Sequence, residues 1–235
     1  TNGIGAEAVW DDRFERYATG SGIGEVKIFE ANSRAVLHSF PVPAKFARES
    51  VHFSPDGRYL AALFRRNSAR VMAWRIADGS LVVSNATVSA AGYDRPFFSP
   101  DSRTLAIYAP RELKFFNLES GTVSTRDTPM PNARFSPDSQ RLAYTERRGV
   151  RVVTFPEWGA VTRVELDFEP SVLAWHPDGE RLAIGGTKGE LAMWNSARPA
   201  EGLARFGGHS SRVVGLSFAS DGSLLLSQAW DNFSS

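Results

Sequence analysis

Short apolar runs separated by polar turns recur along the chain. The runs are five to seven residues long and rich in Val, Ile, Leu, Phe and Trp, and the segments between them contain Gly, Pro, Asp and Ser. Runs of this length bounded by turn residues are typical of β-strands. No stretch of ten or more residues shows a convincing helical period. The pattern therefore predicts an all-β fold.

A four-residue turn signature marks an internal repeat. Its copies are Phe53-Ser54-Pro55-Asp56, Phe98-Ser99-Pro100-Asp101, Phe135-Ser136-Pro137-Asp138, Trp175-His176-Pro177-Asp178 and Phe218-Ala219-Ser220-Asp221. The aspartates are 45, 37, 40 and 43 residues apart, and a leucine follows each by four: Leu60, Leu105, Leu142, Leu182 and Leu225. Ser, Pro and a following Gly or Ser suit a type I turn. A rigid hairpin repeated at a period near 40 indicates the blades of a β-propeller.

Each repeat is predicted to be a meander of four strands. An aromatic residue ends the third strand, at Phe29, Trp74, Phe116, Phe155 and Trp194. Leu142 should lie in a second strand, with Ala143 on the opposite face of the sheet. Residues 1–40 contain a degraded first copy of the repeat. It aligns with the copy around Phe53 at an offset of 43 residues, so that Trp10 corresponds to Phe53. The predicted blades are residues 6–40, 49–85, 94–126, 132–166, 171–207 and a partial blade 211–235, all within a single region 1–235.

The end of the chain resembles the WD40 family. Gly208-His209 precedes an apolar strand from Val213 to Phe218, residues 225–231 read LLSQAWD, and Leu191 to Asn195 resembles the terminal Trp-Asp strand with Asn in place of Asp. His209, Ser227 and Asp231 match the hydrogen-bonded set of the family, and Trp74 and Trp194 end third strands in the manner of its Trp. The repeats also resemble, as a second choice, those of TolB-type propellers and of propellers attached to prolyl peptidases.

The resemblance implies a β-propeller of four-stranded antiparallel blades. Five complete blades and half of a sixth are expected, cut from a longer polypeptide with a seven-bladed ring. The Ser-Pro-Asp aspartates, Asp56, Asp101, Asp138 and Asp178, are expected to form turns and not a catalytic pair.

Composition and charge narrow the functional classes. The net charge of +1 argues against nucleic-acid binding, which needs a strongly basic domain. No apolar stretch approaches the roughly 18 residues of a membrane span. The chain has no cysteine, and its four histidines lie in different repeats without zinc-ligand spacing. We therefore predict no catalytic residue, metal site or cofactor. Gly20, Gly22 and Gly24, like the glycines of 185–189, are interpreted as flexible hairpin tips.

Basic residues collect in the loops that join second to third strands. All such loops emerge on one face of a propeller, and they contain seven basic residues against four glutamates: Arg65, Arg66, Arg70, Arg111, Arg147, Arg148 and Lys188, with Glu25, Glu112, Glu146 and Glu190. One hypothesis is a partner-binding patch for an acidic protein or peptide. The simpler alternative is that these are ordinary solvated loops.

The sequence thus predicts a non-enzymatic, cytoplasmic interaction scaffold within a larger protein, with a protein or peptide as partner. One alternative is an accessory domain of an enzyme, either a protein kinase with C-terminal WD40 repeats or a propeller-bearing peptidase. Another is a sugar- or metal-binding propeller enzyme. That alternative expects acids and histidines in first strands, where the chain instead has apolar residues: Val51, Phe97, Ala133, Val172 and Val213.

Overall fold

The computed structural model describes residues 8–20, 25–41, 47–65, 69–88, 96–109, 112–127, 132–159 and 161–230. Within these residues, β-strands form six antiparallel sheets, five with four strands and one with two, and one 3₁₀ turn spans Pro199–Glu201. The all-β prediction is confirmed. The chain divides into two compact units, Thr1–Thr128 and Pro129–Ser235, which we describe separately.

The first unit contains sheets 1 to 3. Their strands are β1 (Val9–Trp10), β2 (Arg16–Gly20), β3 (Glu25–Glu30) and β4 (Val36–Pro41) in sheet 1; β5 (Ala47–Phe53), β6 (Tyr59–Arg65), β7 (Ala69–Arg75) and β8 (Leu81–Val88) in sheet 2; and β9 (Phe97–Phe98), β10 (Thr104–Ala109), β11 (Glu112–Asn117) and β12 (Val123–Asp127) in sheet 3.

The second unit contains sheets 4 to 6. Their strands are β13 (Ala133–Phe135), β14 (Arg141–Glu146), β15 (Gly149–Thr154) and β16 (Val161–Glu165) in sheet 4; β17 (Pro170–Trp175), β18 (Arg181–Gly186), β19 (Leu191–Asn195) and β20 (Leu203–Phe206) in sheet 5; and β21 (Val213–Phe218) and β22 (Leu225–Ala229) in sheet 6.

Each four-stranded sheet is a meander in which every strand pairs with the next one along the chain. This is the blade-like form that the repeat predicted. The aromatic or apolar residue before each turn pairs directly with the leucine after it, in the pairs Phe53 with Leu60, Phe98 with Leu105, Phe135 with Leu142, Trp175 with Leu182 and Phe218 with Leu225. In sheet 1 the equivalent pair is Trp10 with Tyr17, so the offset of 43 residues is confirmed.

The cores lie between consecutive sheets. Strand β6 shows this best, because successive residues enter different clusters. Leu60 and Phe64 pack with sheet 1, whereas Leu63 packs with sheet 3 beside Ile107. Side chains alternate between the two faces of a strand, so the apolar run of β6 serves two cores at once. In the second unit a third cluster joins sheets 4 and 5 around Trp194.

The prediction for the third strand of sheet 4 is wrong in register. Val153 lies opposite Leu142, and Phe155 follows the end of β15. The hairpin between β14 and β15 has two residues between the paired Glu146 and Gly149, and the hairpin of sheet 3 also has two, between Ala109 and Glu112. In sheet 3 the aromatic Phe116 lies opposite Leu105, whereas in sheet 4 the aromatic residue comes two positions after Val153, so its place in the sequence has shifted. Phe155 packs edge-on against Phe135 with ring centroids 5.0 Å apart.

The interpretation of residues 185–189 as a flexible tip also needs correction. Gly185 and Gly186 are buried at the end of β18. A Cβ on Gly185 would lie 2.7 Å from Val213 Cγ1 of the next sheet. Gly185 therefore permits close packing of sheet 6 on sheet 5, and Gly186 leaves room for Glu190 and Phe168. Gly22 and Gly24 lie outside the described residues.

In the described part of the chain, no helix has the length and apolar character needed to cross a membrane.

Candidate interaction surface

The Ser-Pro-Asp turns are held by a repeated set of hydrogen bonds. In sheet 2 the Gly57 N–H donates to Ser54 O at 2.8 Å, and the Tyr59 N–H donates to Ser54 Oγ at 2.9 Å. Ser54 Oγ donates to Asp56 Oδ1 at 2.8 Å, and that oxygen also accepts the Arg58 N–H at 2.9 Å. The aspartates are thus acceptors in turns, as the sequence indicated.

The same geometry recurs with different residues. Gly57, Ser102, Ser139, Gly179 and Gly222 occupy the fourth turn position, and all have φ between 62° and 75°. In sheet 1, Phe14 has φ 56° and the Asp11 carboxylate replaces the serine hydroxyl, accepting the Arg16 N–H at 3.1 Å. The turn backbone is therefore kept where the Ser-Pro-Asp sequence is lost.

Hydrogen bonds lower the pKa values of four turn carboxylates, those of Asp56, Asp138, Asp178 and Asp221. For Asp178, burial raises the pKa, but hydrogen bonds from the Arg181 side chain and from the Glu180 and Arg181 N–H groups lower it to about 2. The pKa values of Asp56, Asp138 and Asp221 are also lowered. These groups stay charged over the physiological range and stabilise the turns. This geometry leaves them no role as a general acid.

Links between neighbouring sheets at these turns were not predicted from the sequence. Arg16 Nη1 donates to Gly57 O at 3.0 Å, Arg141 Nη2 donates to Gly179 O at 2.7 Å, and His176 Nε2 lies 3.2 Å from Gly222 O. In each case a side chain of one sheet reaches the backbone carbonyl at the fourth turn position of the next. The acceptor is a main-chain atom, so no residue type signals the contact.

The second unit presents three of the predicted basic residues at hairpin tips. Arg147 and Arg148 lie between β14 and β15, Lys188 lies between β18 and β19, and all three are exposed. We call these three residues the tip surface. Both hairpins adjoin the connection from β16 to β17, because the Leu166 N–H donates to Arg148 O at 3.0 Å and the Thr187 N–H donates to Glu169 O at 2.9 Å. The two tips therefore lie at the same edge of the second unit.

Acidic groups near the tip surface already have hydrogen-bond partners. Glu146 accepts hydrogen bonds from Arg151 at 2.9 Å and Arg163 at 2.8 Å. A hydrogen bond from Arg205 lowers the pKa of Asp167, and Glu190 accepts the Lys188 N–H at 2.9 Å. Because Glu146 and Asp167 also pair with arginines outside the tip surface, they offset the charge of Arg147, Arg148 and Lys188 only in part. Glu190 accepts a neutral N–H group, so its negative charge remains beside Lys188.

Of the other four predicted basic residues, only Arg70 has a described side chain. Arg66 and Arg111 lie outside the described residues, and only the backbone of Arg65 is described, at the end of β6. Arg70 is half-buried in β7, opposite Phe64. The partner-binding role of the seven residues stays a prediction.

The residues of the repeat signature are structural in their placement. His209 Nε2 lies 2.8 Å from Ser227 Oγ, and Asp231 lies outside the described residues. Trp194 is fully buried, and Trp74 stacks on Phe40 with centroids 4.5 Å apart. The loop that contains Gly208 and His209 lies close to the hairpin between β18 and β19. The His209 N–H donates to Gly189 O of that hairpin at 2.9 Å.

Among the described residues, no group of His, Asp and Glu has the arrangement of a metal site.

Comparison with known families agrees with the fold. Residues 201–233 match the model of the family described as WD domain, G-beta repeat. This segment contains the Gly208-His209 loop and strands β21 and β22. Together with the repeated four-stranded sheets, the match confirms the resemblance to WD40 propeller repeats. A search of curated proteins gave no match.

Proposed function

We propose that this chain is a non-catalytic WD40-like scaffold that binds a protein or peptide and forms part of a larger protein. WD40 repeat domains are generally non-catalytic and typically bind proteins or peptides. The observation that carries the proposal is the placement of exposed loops on well-packed sheets. In the second unit, the tip surface lies at one edge of sheets whose cores are fully buried.

The proposed chemistry of recognition at the tip surface is electrostatic. Arg147, Arg148 and Lys188 are exposed, and the nearby carboxylates of Glu146 and Asp167 are engaged by other arginines. A guanidinium pairs well with a carboxylate in a two-point geometry. An acidic segment of a partner is therefore the ligand that this surface favours.

Site-specific crosslinking tests the proposal. A photoreactive residue is placed at Arg147 or Lys188, and for comparison at Thr125, which is exposed in the outer strand β12. We expect both tip positions to crosslink the same protein from a native lysate, with a yield that falls as salt is raised, because salt screens exposed charges. The Thr125 position should not give this product.

Charge reversal completes the test. The variant R147E/R148E/K188E should lose the crosslinked product at a neighbouring reporter position, Glu169, while the protein keeps its thermal transition. If no protein is captured at any position, the scaffold proposal fails. If capture is the same with reversed charges, the partner binds, but not through the tip surface, and the solvated-loop alternative is correct.

The accessory-domain alternative keeps the same binding chemistry and differs in what the propeller is attached to. The reading frame that adjoins residues 1 and 235 decides between a kinase, a peptidase and a non-enzymatic protein.

A further inference from the structure

A basic cleft lies in the first unit at the turn ends of sheets 1 and 2. Its volume is about 690 Å³, within the usual range for ligand pockets. Four arginines line it, Arg13, Arg16, Arg58 and Arg75, with Asp56 as the carboxylate among the lining residues. In a meander, the turns after first and third strands lie at the end opposite the hairpin between second and third strands. The cleft is thus separate from the end of the sheet where hairpin tips lie.

Two of these arginines, Arg16 and Arg75, use some of their N–H donors in hydrogen bonds within the protein. Arg16 Nη1 donates to Gly57 O at 3.0 Å, and Arg75 Nη1 donates to Asp78 at 3.3 Å and to Ser80 Oγ at 3.2 Å. A guanidinium has several N–H donors, so these bonds fix the side chains and leave donors for a ligand. Arg13 is exposed, and no partner of its side chain is found among the described residues.

Nearby carboxylates reduce the positive charge without cancelling it. Asp56 is bound by Ser54 and Arg58, Asp78 pairs with Arg75, and Glu119 Oε1 lies 3.7 Å from Arg58 Nη1. Arg13 and Arg16 have no carboxylate partner in these pairs. The cleft therefore keeps two arginines available to an anion.

One exposed apolar side chain, that of Leu37, adjoins the arginines. Leu37 is 41% exposed, and Ile76 lies buried beneath the same cleft. His38 is held by stacking on Phe40, with ring centroids 5.6 Å apart. A ligand that suits this lining has a negative group for the arginines next to an apolar group for Leu37.

We propose that this cleft binds an acidic peptide segment of the partner protein, in which a Glu or Asp side chain pairs with Arg13 and Arg16 and an adjacent apolar side chain contacts Leu37. The inference rests on the proposed scaffold function and names a second contact, independent of the tip surface. A carboxylate satisfies two guanidinium donors at once, which gives both geometry and charge complementarity.

Peptide binding to the full chain tests this directly. The probe is fluorescein-labelled Glu-Glu-Leu-Glu-Glu, measured by anisotropy, with Gln-Gln-Leu-Gln-Gln and a phosphoserine analogue in place of the glutamates as comparison ligands. We expect the glutamate peptide to bind and the glutamine peptide not to bind. The variant R13E/R16E should weaken binding about tenfold, and added salt should weaken it further.

The control is Arg126→Glu, which reverses one charge at an exposed position of β12 outside the cleft. It should bind the peptide as the wild type does. Because a double reversal could disturb folding, Arg13→Ala alone is measured as well, and it should also weaken binding while leaving the thermal transition unchanged.

The outcomes separate this inference from the scaffold proposal. Equal binding of glutamate and glutamine peptides, no binding at all, or an equal loss in Arg126→Glu overturns the cleft. Binding of the phosphoserine peptide alone overturns the assignment to a carboxylate. In each of these cases crosslinking at Arg147 and Lys188 still reports whether the chain binds a protein.

Discussion

Single residues at the turns stabilise this protein through charge and backbone geometry. Asp178 accepts hydrogen bonds from the Glu180 N–H at 2.9 Å and the Arg181 Nε at 2.6 Å, and its pKa falls to about 2. The ordinary value is 3.8. A carboxyl group whose pKa is lower in the folded state favours folding above its unfolded pKa. The contribution of Asp178 is therefore complete above about pH 4 and is lost as the pH falls from 3.8 toward 2.

Asp178→Asn should lower the free energy of unfolding near neutral pH by about 1 kcal/mol, because the carboxylate is partly exposed and solvent screens its interactions. The difference from the wild type should shrink as the pH is lowered toward 2. Denaturant unfolding at several pH values measures this. Asp12→Asn, at an exposed position of the sheet 1 turn, is the control and should have little effect. A constant difference across the pH range would contradict the assignment.

Gly189 is required by both its conformation and its surroundings. Its φ is 95°, and a Cβ would lie 1.9 Å from His209 O. Gly121 has φ 73° with no atom within 4 Å of its Cβ position. Gly121→Ala should lower the free energy of unfolding by about 1 kcal/mol, because alanine is disfavoured in the left-handed conformation. Gly189→Ala should lower it clearly more, because its Cβ would also clash. Thermal or denaturant unfolding of the two variants compares them, and equal losses would show that the loops separate without cost.

Strand β14 shows why the strands could be predicted from the sequence. Leu142 and Ala143 point to opposite faces of β14, and both are fully buried. A second strand with no exposed face gives a continuous apolar run, and the fixed offset from the turn aspartate sets its register. The aromatic residue of the third strand has no fixed offset from the turn, which is why Phe155 was misplaced while Leu142 was not.

Leu142→Ala should cost about 2 to 5 kcal/mol, since it removes buried contacts and leaves a cavity. Val123→Ala is the matched change in an outer strand, where Val123 is 52% exposed, and it should change stability by less than about 0.5 kcal/mol. Chemical denaturation measures both. An unchanged midpoint for Leu142→Ala would contradict the packing of β14.

At the scale of the molecule, each of the two units is a series of similar sheets joined to their neighbours within that unit. The sequence predicted the sheets, because the turn signature recurs in sheets 2 to 6 and the offset of 43 residues identified sheet 1. It did not predict the links through Arg16, Arg141 and His176, since these end on backbone carbonyls. The tip surface was predicted only as a pattern of basic loops, because the bound state of Glu146 and Asp167 depends on arginines distant in sequence.

In repeat proteins, stability is close to a sum over each repeat and its interfaces with its neighbours. Arg141→Met keeps most of the alkyl chain and removes the guanidinium. The guanidinium lies 5.3 Å from the Trp175 ring and donates the hydrogen bond to Gly179 O. We expect a loss of about 1 kcal/mol and faster hydrogen exchange in sheets 4 and 5, with sheet 1 unchanged. Arg198→Met, at an exposed arginine paired with Glu201, should leave the exchange pattern as it is. Faster exchange throughout the chain would show that the sheets unfold as one.

The backbone carbonyls at the fourth turn position affect how repeats of this protein can be exchanged. Every residue type has a carbonyl, so the sheet that receives the link at Gly57, Gly179 or Gly222 needs no particular side chain for it. Only the donor in the preceding sheet requires a particular type of side chain. A foreign repeat can therefore receive this link whatever its turn residue, provided that the preceding repeat keeps a donor such as Arg16, Arg141 or His176. The exchanged repeat must also fit the apolar core that it shares with its neighbours, such as the one that contains Leu63 and Ile107.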